Sequence, residues 1–175
     1  MPDNPPFTPP ASRGRAALGS LLFLAVAPGI VVGLIPWWLT DGWTPGTTVA
    51  ALQAIGWVLI VLGVGAVLWA FGQFVVEGLG TPAPIAPTRT LVIGGLYRYV
   101  RNPMYVSLLF AIAGQALVLG RWNLLAYAVI VWIFPALFVK FYEEPTLVRT
   151  YGAAYEEYRR NVPGWIPRLR PWVPR

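Results

Sequence analysis

The sequence predicts an all-α integral membrane protein, a bundle of four transmembrane helices. Hydrophobic residues make up 57% of the 175 residues and charged residues 11%, whereas an average soluble domain is about 45–50% apolar and about 25% charged. Four apolar segments also follow one another along the chain, separated by polar or proline-rich stretches. Both observations are typical of helices whose side chains face lipid.

The four predicted spans cover residues 16–40, 47–72, 103–120 and 123–142. The first two exceed the ~20 apolar residues that cross the hydrocarbon, and prolines at 28 and 36 predict a kink in the first. The last two are shorter and predict a helical hairpin that turns at Arg121. The proline-rich residues 1–14 are expected to be a disordered tail, and residues 15–175 a single membrane domain.

Small residues recur at helical spacing along the second predicted span. Gly56, Gly63 and Ala70 follow one another every seven residues, and Gly65 and Gly72 share that spacing. Small residues stacked on one helix face let a neighbouring backbone approach closely. The pattern therefore predicts a packing face on this helix.

The stretch 77–103 cannot be a membrane helix, because it is rich in proline and contains the pair Gly94-Gly95. Pro103 disfavours the helical conformation at Asn102 and so sets the end of this loop. We expect the loop to contribute to a cofactor site.

Residues 143–175 become polar again and predict a cytosolic helix and tail. Leu147, Tyr151, Tyr155 and Tyr158 are spaced as one face of a helix. We therefore expect one amphipathic helix, lying against the membrane surface or the bundle. Its tyrosines are expected to serve mainly in packing, and the prolines that follow predict an extended tail.

Basic residues are concentrated on one predicted side of the membrane. Of the 13 basic residues, all but Arg121 fall on the side that holds the termini and the 77–103 loop. The positive-inside rule then places both termini in the cytoplasm, and we expect a bacterial inner membrane. The net charge of +6 is explained by helix flanks that meet anionic lipid, so we expect no nucleic acid partner.

The composition also excludes several kinds of chemistry. The chain has no Cys and no His, which excludes disulfides, a Cys nucleophile and a His general base. With seven acidic residues, we expect no metal site. Any reaction must use a bound cofactor together with Arg, Lys, Glu and Tyr side chains.

Two stretches carry a pattern shared with a known family. They read GLYRYVRNPMY at 95–105 and FYEEPTLVRTYGAAYEEYRRNVPGWIPR at 141–168. Their order and spacing resemble the isoprenylcysteine carboxyl methyltransferases, a family similar to phospholipid N-methyltransferases and to the C-terminal part of membrane sterol reductases. The resemblance covers roughly residues 50–168. It implies S-adenosylmethionine as cofactor, bound at the cytosolic face, and a lipid-embedded or hydrophobic small-molecule acceptor.

The resemblance also implies individual site residues. The cofactor positions fall on the loop and the start of the third span: Arg89, Thr90, Leu91, Val92, Tyr97, Asn102, Pro103, Met104 and Tyr105. The implied catalytic residues are Glu143, Glu144 and Arg101, and the implied substrate-binding residues are Lys140 and Glu143. Asn102 stands where the eukaryotic carboxyl methyltransferases carry His, which weakens the case for prenylcysteine as the substrate.

The chemistry of these side chains suits that cofactor. A sulfonium cation is accommodated by aromatic faces, which Tyr97, Tyr99 and Tyr105 can supply. Arg101 or Arg89 could pair with the methionyl carboxylate. Methyl transfer depends largely on positioning, so a glutamate that orients the acceptor or takes its proton would suffice.

Other interpretations of the same residues stay open at this point. Arg98 and Arg101 could be membrane anchors, and Glu143 and Glu144 could be N-terminal acids of a helix that restarts at Pro145. An NADPH-dependent membrane reductase is a second candidate function. A non-enzymatic scaffold whose basic loop binds anionic lipid is a third. Neither the acceptor nor the oligomeric state follows from the sequence.

Overall fold

A computed structural model describes residues 26–76 and 91–173, without the side chains of residues 71 and 73–76. The predicted tail 1–14, the beginning of the first span and residues 77–90 of the loop lie outside the described residues. Within the described ranges all regular structure is helical. The all-α prediction is therefore confirmed.

Six helices follow one another along the described chain: α1 (Val26–Leu39), α2 (Ala50–Val76), α3 (Pro103–Leu119), α4 (Asn123–Phe138), α5 (Glu144–Tyr151) and α6 (Ala153–Asn161). A π-helical segment occupies Gly29–Leu34 within α1, a 3-10 turn occupies Gly95–Arg98, and a π turn, Val139–Glu143, joins α4 to α5. The predicted hairpin corresponds closely to α3 and α4. The second helix begins and ends a few residues later than predicted.

Two helical stretches are long and apolar enough to cross a membrane, Ala50–Ala70 and Asn123–Tyr151. In the most apolar 18 residues of each stretch, only 17% and 11%, respectively, is buried within the protein. Their large apolar side chains therefore face outward, unlike those of a core helix in a soluble domain. The helices α1 and α3 are apolar but shorter, and a count of four spans stays a prediction.

The helix α1 is held to the hairpin by hydrogen bonds at a backbone defect. Pro36 has no N–H to donate. The Val31 carbonyl, five residues earlier, therefore lacks its π-helical donor, and the Val32 carbonyl, four residues earlier, lacks its α-helical donor. Both carbonyls find donors on other helices instead, at 2.9 Å in each case: the hydroxyl of Tyr127 and Nε2 of Gln115. Side chains of the hairpin thus satisfy the polar groups that proline leaves open.

The glycine face of α2 packs against α3. A Cβ atom on Gly56 would lie 2.6 Å from the carbonyl oxygen of Gly114, and one on Gly63 would lie 2.6 Å from that of Ser107. Ala70, on the same face, is fully buried. The packing prediction is confirmed for these residues. The second set of glycines, at 65 and 72, has open space around it and takes no part.

The prediction of a single amphipathic helix in the C-terminal region is wrong, because the helix is interrupted at Gly152. That residue adopts φ 53° and ψ −128°, a conformation that favours glycine, and separates α5 from α6. Side chains from both helices nevertheless meet in one cluster with residues of the loop: Leu147, Tyr151, Tyr155, Tyr158, Leu91, Ile93 and Tyr97. The predicted face therefore exists, but it belongs to two helices that pack on the protein.

The close contact between α2 and α3 predicts a stability difference between two glycines of the same helix. We expect Gly56→Ala to lower the free energy of unfolding by about 1–3 kcal/mol, because the added methyl group overpacks a backbone contact. Gly65→Ala is the matched control, and should leave stability equal or higher because its Cβ meets no neighbour. Thermal unfolding in detergent measures both, and equal melting temperatures would contradict the proposed packing.

Candidate functional site

The site is built around the guanidinium group of Arg101, just before α3. Its Nη1 atom donates to the Glu144 carboxylate and, at 3.1 Å, to the Tyr155 hydroxyl, while Nε donates to the Val162 carbonyl at 3.0 Å. The side chains of Arg101 and Glu144 are 14% and 19% exposed. One cation thus connects the loop before α3 with α5, with α6 and with the segment after α6.

The segment after α6, residues 162–173, is named the C-terminal arm here. It lies along residues 98–102 of the loop and is held there by backbone hydrogen bonds. The N–H of Arg101 donates to Pro163 O at 2.9 Å, and the Arg168 N–H donates to Tyr99 O at 3.0 Å. These bonds hold the arm against the loop. The chain bends at residues 164–166 and 169–170, so the extended tail predicted from the prolines is not confirmed.

Asn102 strengthens the same junction. Its backbone N–H and its side-chain Nδ2 both donate to the Gly164 carbonyl, at 3.3 and 3.0 Å. The backbone adopts φ −116° and ψ 56°, outside the helical region, as Pro103 predicts. Asn102 is buried, so its amide group holds the arm.

The two acidic residues at the end of the π turn have different surroundings. One Glu144 oxygen accepts from Arg101, and the other lies 3.7 Å from the guanidinium of Arg159. In contrast, Oε2 of Glu143 is buried without a hydrogen-bond partner among the described residues. Glu144 is therefore committed to internal ion pairs, whereas Glu143 has a buried oxygen that no described residue hydrogen-bonds.

The Glu143 carboxylate also borders an aromatic cluster. It lies close enough to the Tyr105 hydroxyl to interact with it electrostatically. The Tyr105 ring stacks on the ring of Trp165 in the arm, with 6.2 Å between the ring centroids. Trp132 of α4 packs edge-on against Trp165 at the same centroid distance. A partly buried carboxylate next to aromatic faces is an environment that favours a cationic or amphipathic ligand.

Two buried tyrosines of α6 form hydrogen bonds with Arg101 and with the loop. Tyr155 and Tyr158 are both buried, and the Tyr158 hydroxyl donates to Tyr97 O at 2.8 Å. Burial raises the pKa of Tyr155, as does the Glu144 carboxylate, while Arg101 opposes that rise. Burial also raises the pKa of Tyr158. Both hydroxyls therefore stay neutral at physiological pH and act as hydrogen-bonding groups.

The structure brings together part of the predicted cofactor set. Pro103 is buried at the start of α3, and Met104 is half-buried beside it. Leu91 and Tyr97 pack on the buried tyrosines of α6, and Val92, which follows Leu91, is half-buried. Arg89 and Thr90 lie outside the described residues.

Lys140 lies apart from the Arg101 cluster. Its side chain is exposed, and the ammonium group lies 5.4 Å from the centre of the Phe141 ring. A basic residue on the exposed side of the π turn can contact head groups or an amphipathic substrate. Its substrate-binding role stays a prediction.

Several contributors to the site were not singled out from the sequence. The sequence predicts Tyr155 as a packing residue, but its hydroxyl also accepts from Arg101. Gly164 and Trp165 join the site from the arm. Gly164 lies 62 residues after its partner Asn102 in the loop, and Trp165 contacts Tyr105 of α3. The segment VPGWIP belongs to the stretch 141–168 that carries the family resemblance, and this resemblance is the signal from which they could have been found.

This arrangement defines a class of protein. Outward-facing apolar helices, with a charged and aromatic cluster where they end, are typical of helical membrane proteins whose site lies at the membrane surface. A sequence model of the phospholipid methyltransferase family matches residues 52–154, more than half of the chain. The chain belongs to this family of membrane methyltransferases.

Individual relatives agree with that assignment. A protein-S-isoprenylcysteine O-methyltransferase of Schizosaccharomyces pombe is 37% identical over 80 residues, 45% of this chain and 34% of the relative. Methanethiol S-methyltransferase 2 of Bradyrhizobium diazoefficiens is 29% identical over 138 residues, 77% of this chain and 51% of the relative. A phosphatidylethanolamine N-methyltransferase of Talaromyces marneffei is 29% identical over 131 residues, 75% of this chain and 12% of the relative.

The matched region spans about half or less of the length of these relatives. Among solved structures, none matches this chain. The family match includes Arg101, Glu143 and Glu144 but ends before the C-terminal arm. The family model thus covers Arg101 and both glutamates of the site but neither Arg159 nor the arm.

The ion pair at the centre of the site predicts a strong effect of a small change. We expect Glu144→Gln to lower the free energy of unfolding by about 1–3 kcal/mol, because it leaves the partly buried Arg101 without its counter-charge. The arm should also become easier to cleave. Thermal unfolding and limited proteolysis in detergent measure these effects.

Glu157→Gln is the matched control, since Glu157 is an exposed carboxylate on α6 and exposed charges contribute little. It should change neither quantity. If the two variants unfold and are cleaved alike, the ion pair does not hold the arm.

Proposed function

We propose that this protein transfers a methyl group from S-adenosylmethionine to a lipid-embedded or hydrophobic small-molecule acceptor at the cytosolic face of the membrane. The observation that carries the proposal is the ion pair between Arg101 and Glu144, which joins the two stretches of the family pattern in space. Both residues lie within the region that the family model matches, and the relatives of this chain named above are methyltransferases.

The proposed topology has four spans with both termini in the cytoplasm, in a bacterial inner membrane. Two long helices are apolar enough to cross, and α1 and α3 would complete the bundle at a slight mismatch to bilayer thickness. Nearly all basic residues then lie on the cytosolic side. That distribution agrees with the positive-inside rule.

The residues at the site fit the proposed cofactor in chemical character. Among the described residues no acceptor pairs with Nη2 of Arg101, which is directed towards Gly164. This donor could bind the methionyl carboxylate. The faces of Tyr105 and Trp165 could accommodate a sulfonium. Arg89, Thr90, Leu91, Val92 and Tyr97 would complete the binding loop.

Glu143 is the residue we propose to act on the acceptor. When bound, S-adenosylmethionine supplies an electrophilic methyl group, so the protein needs only to align the acceptor and manage its proton. The unpartnered Oε2 atom of Glu143 can orient a nucleophile, or take its proton when the nucleophile carries one. Arg101 and Glu144 would hold that geometry, and Lys140 would contact the acceptor at the exposed edge.

The relatives named above act on three different kinds of acceptor: a prenylated cysteine, methanethiol and phosphatidylethanolamine. The methanethiol enzyme aligns over 77% of this chain, so a thiol is a specific candidate beside carboxylate and amine acceptors. A methyl-transfer screen with radiolabelled S-adenosylmethionine should therefore include all three classes and a host lipid extract.

Cofactor binding provides the first test of the proposal. We expect S-adenosylmethionine to raise the thermal unfolding temperature of the detergent-solubilised protein, because a ligand that binds the folded state stabilises it. S-adenosylhomocysteine should compete. A shift with NADPH instead would favour a reductase, and no shift with either would leave only a lipid-binding scaffold.

The role of Glu143 gives a second prediction. Glu143→Gln should reduce turnover by roughly 10²-fold, the usual scale for losing a general acid or base, with little change in melting temperature. Glu156→Gln, an exposed carboxylate on α6, should retain full activity. Single-turnover methyl transfer measures both variants, and wild-type activity of Glu143→Gln would remove this residue from the proposed mechanism.

A further inference from the structure

The C-terminal arm presents apolar side chains to the outside. Ile166 is 79% exposed, Leu169 98% and Val173 61%. These are large aliphatic side chains in a segment that leaves the helices, where polar residues are the norm. Their exposure requires a physical reason.

The arm cannot readily fold these side chains away. Backbone hydrogen bonds anchor the arm before Ile166, between Ile166 and Leu169, and directly before Val173. Arg101 N–H donates to Pro163 O, Arg168 N–H to Tyr99 O, and Trp172 N–H to Arg98 O. The Arg98 side chain adds a 2.7 Å bond to the Trp172 carbonyl. These bonds therefore fix the arm in a position in which its aliphatic side chains face outward.

The beginning of the arm lies beside the apolar helices. Trp165, directly before Ile166, contacts Tyr105 in the first turn of α3 and Trp132 of α4. Trp132 belongs to the outward-facing apolar surface of α4, where Phe134 is 70% exposed. Ile166 therefore directly follows, along the chain, a residue that packs on the surface that we propose to face lipid.

The charge of the arm complements an anionic surface. Arg168 and Arg170 flank Leu169, and Arg170 is exposed. Aliphatic and aromatic side chains with interleaved arginines are typical of segments that lie in the head-group region of a membrane. The described arm carries no acidic residue between 162 and 173 that would oppose this contact.

We propose that the C-terminal arm docks into the anionic phospholipid leaflet: Ile166 and Leu169 insert among the lipids while Arg170 contacts phosphate head groups. The arm thereby holds the Arg101 cluster at head-group depth. The inference depends on the proposed embedding of the helices but not on methyl transfer. It goes beyond the family match, which ends at residue 154.

The absence of cysteine from the chain permits a clean test on the full-length protein. Single variants Ile166→Cys and Leu169→Cys are labelled with an environment-sensitive fluorophore and reconstituted into nanodiscs of phosphatidylcholine, with or without phosphatidylglycerol. Quenching by doxyl-labelled lipid reports membrane contact, and quenching by iodide reports contact with water. Phe134→Cys on α4 is the membrane control, and Glu157→Cys on α6 is the aqueous control.

We expect the labels at 166 and 169 to be quenched by doxyl lipid, as at Phe134→Cys, and more strongly when phosphatidylglycerol is present. Adding Arg170→Gln should weaken arm insertion by roughly fivefold in the anionic nanodiscs, the effect of one basic residue near an anionic surface. The label at Glu157→Cys should be quenched by iodide alone.

Four results would overturn the proposal. Iodide quenching at 166 and 169 with lipid quenching at Phe134→Cys would show embedded helices and an arm in water. Protection of the arm labels from both quenchers would show that protein, such as a second copy, covers them. Equal lipid quenching with and without phosphatidylglycerol would exclude the anionic leaflet as the partner. If lipid also fails to quench the label at Phe134→Cys, the proposed embedding of the helices is itself rejected, whatever the cofactor-binding result.

Discussion

The arrangement of the site depends on the pairing of one partly buried cation. Arg101 lies in the loop before α3, yet its guanidinium group binds Glu144, Tyr155 and the Val162 carbonyl. A charge removed from water must be paired and hydrogen-bonded, or it destabilises the fold. Satisfying this one group therefore brings together the loop, two helices and the arm. It leaves Glu143 with an oxygen that has no partner among the described residues.

The same requirement operates in the apolar part of the molecule, on the backbone. Where water is excluded, every carbonyl and N–H needs a partner within the protein. Pro36 removes one donor from α1, and the two carbonyls affected are bonded from α3 and α4. Close glycine contacts between α2 and α3 complete the packing. The helices are thus joined through polar bonds and small residues, while their large apolar side chains remain outside.

Much of the fold could be predicted, because its causes are local in the sequence. Long charge-free runs specify apolar helices, and Pro103 excludes Asn102 from the helix. The spacing of Gly56 and Gly63 predicts a face on which a neighbour can approach. The break at Gly152 could not be predicted with equal ease, since the side-chain periodicity continues across it and packing with the loop holds both helices in one cluster.

The sequence by itself determined the class of the protein: an apolar all-helical chain without His or Cys, with Arg101 and two adjacent glutamates as candidate site residues. Only the tertiary structure decided which glutamate is paired and which keeps an open oxygen, and it alone placed Trp165 against Tyr105 and Trp132. The physical reason is distance along the chain. Composition and periodicity act over a few residues, whereas these contacts join segments that only the closed fold brings within hydrogen-bonding and stacking range.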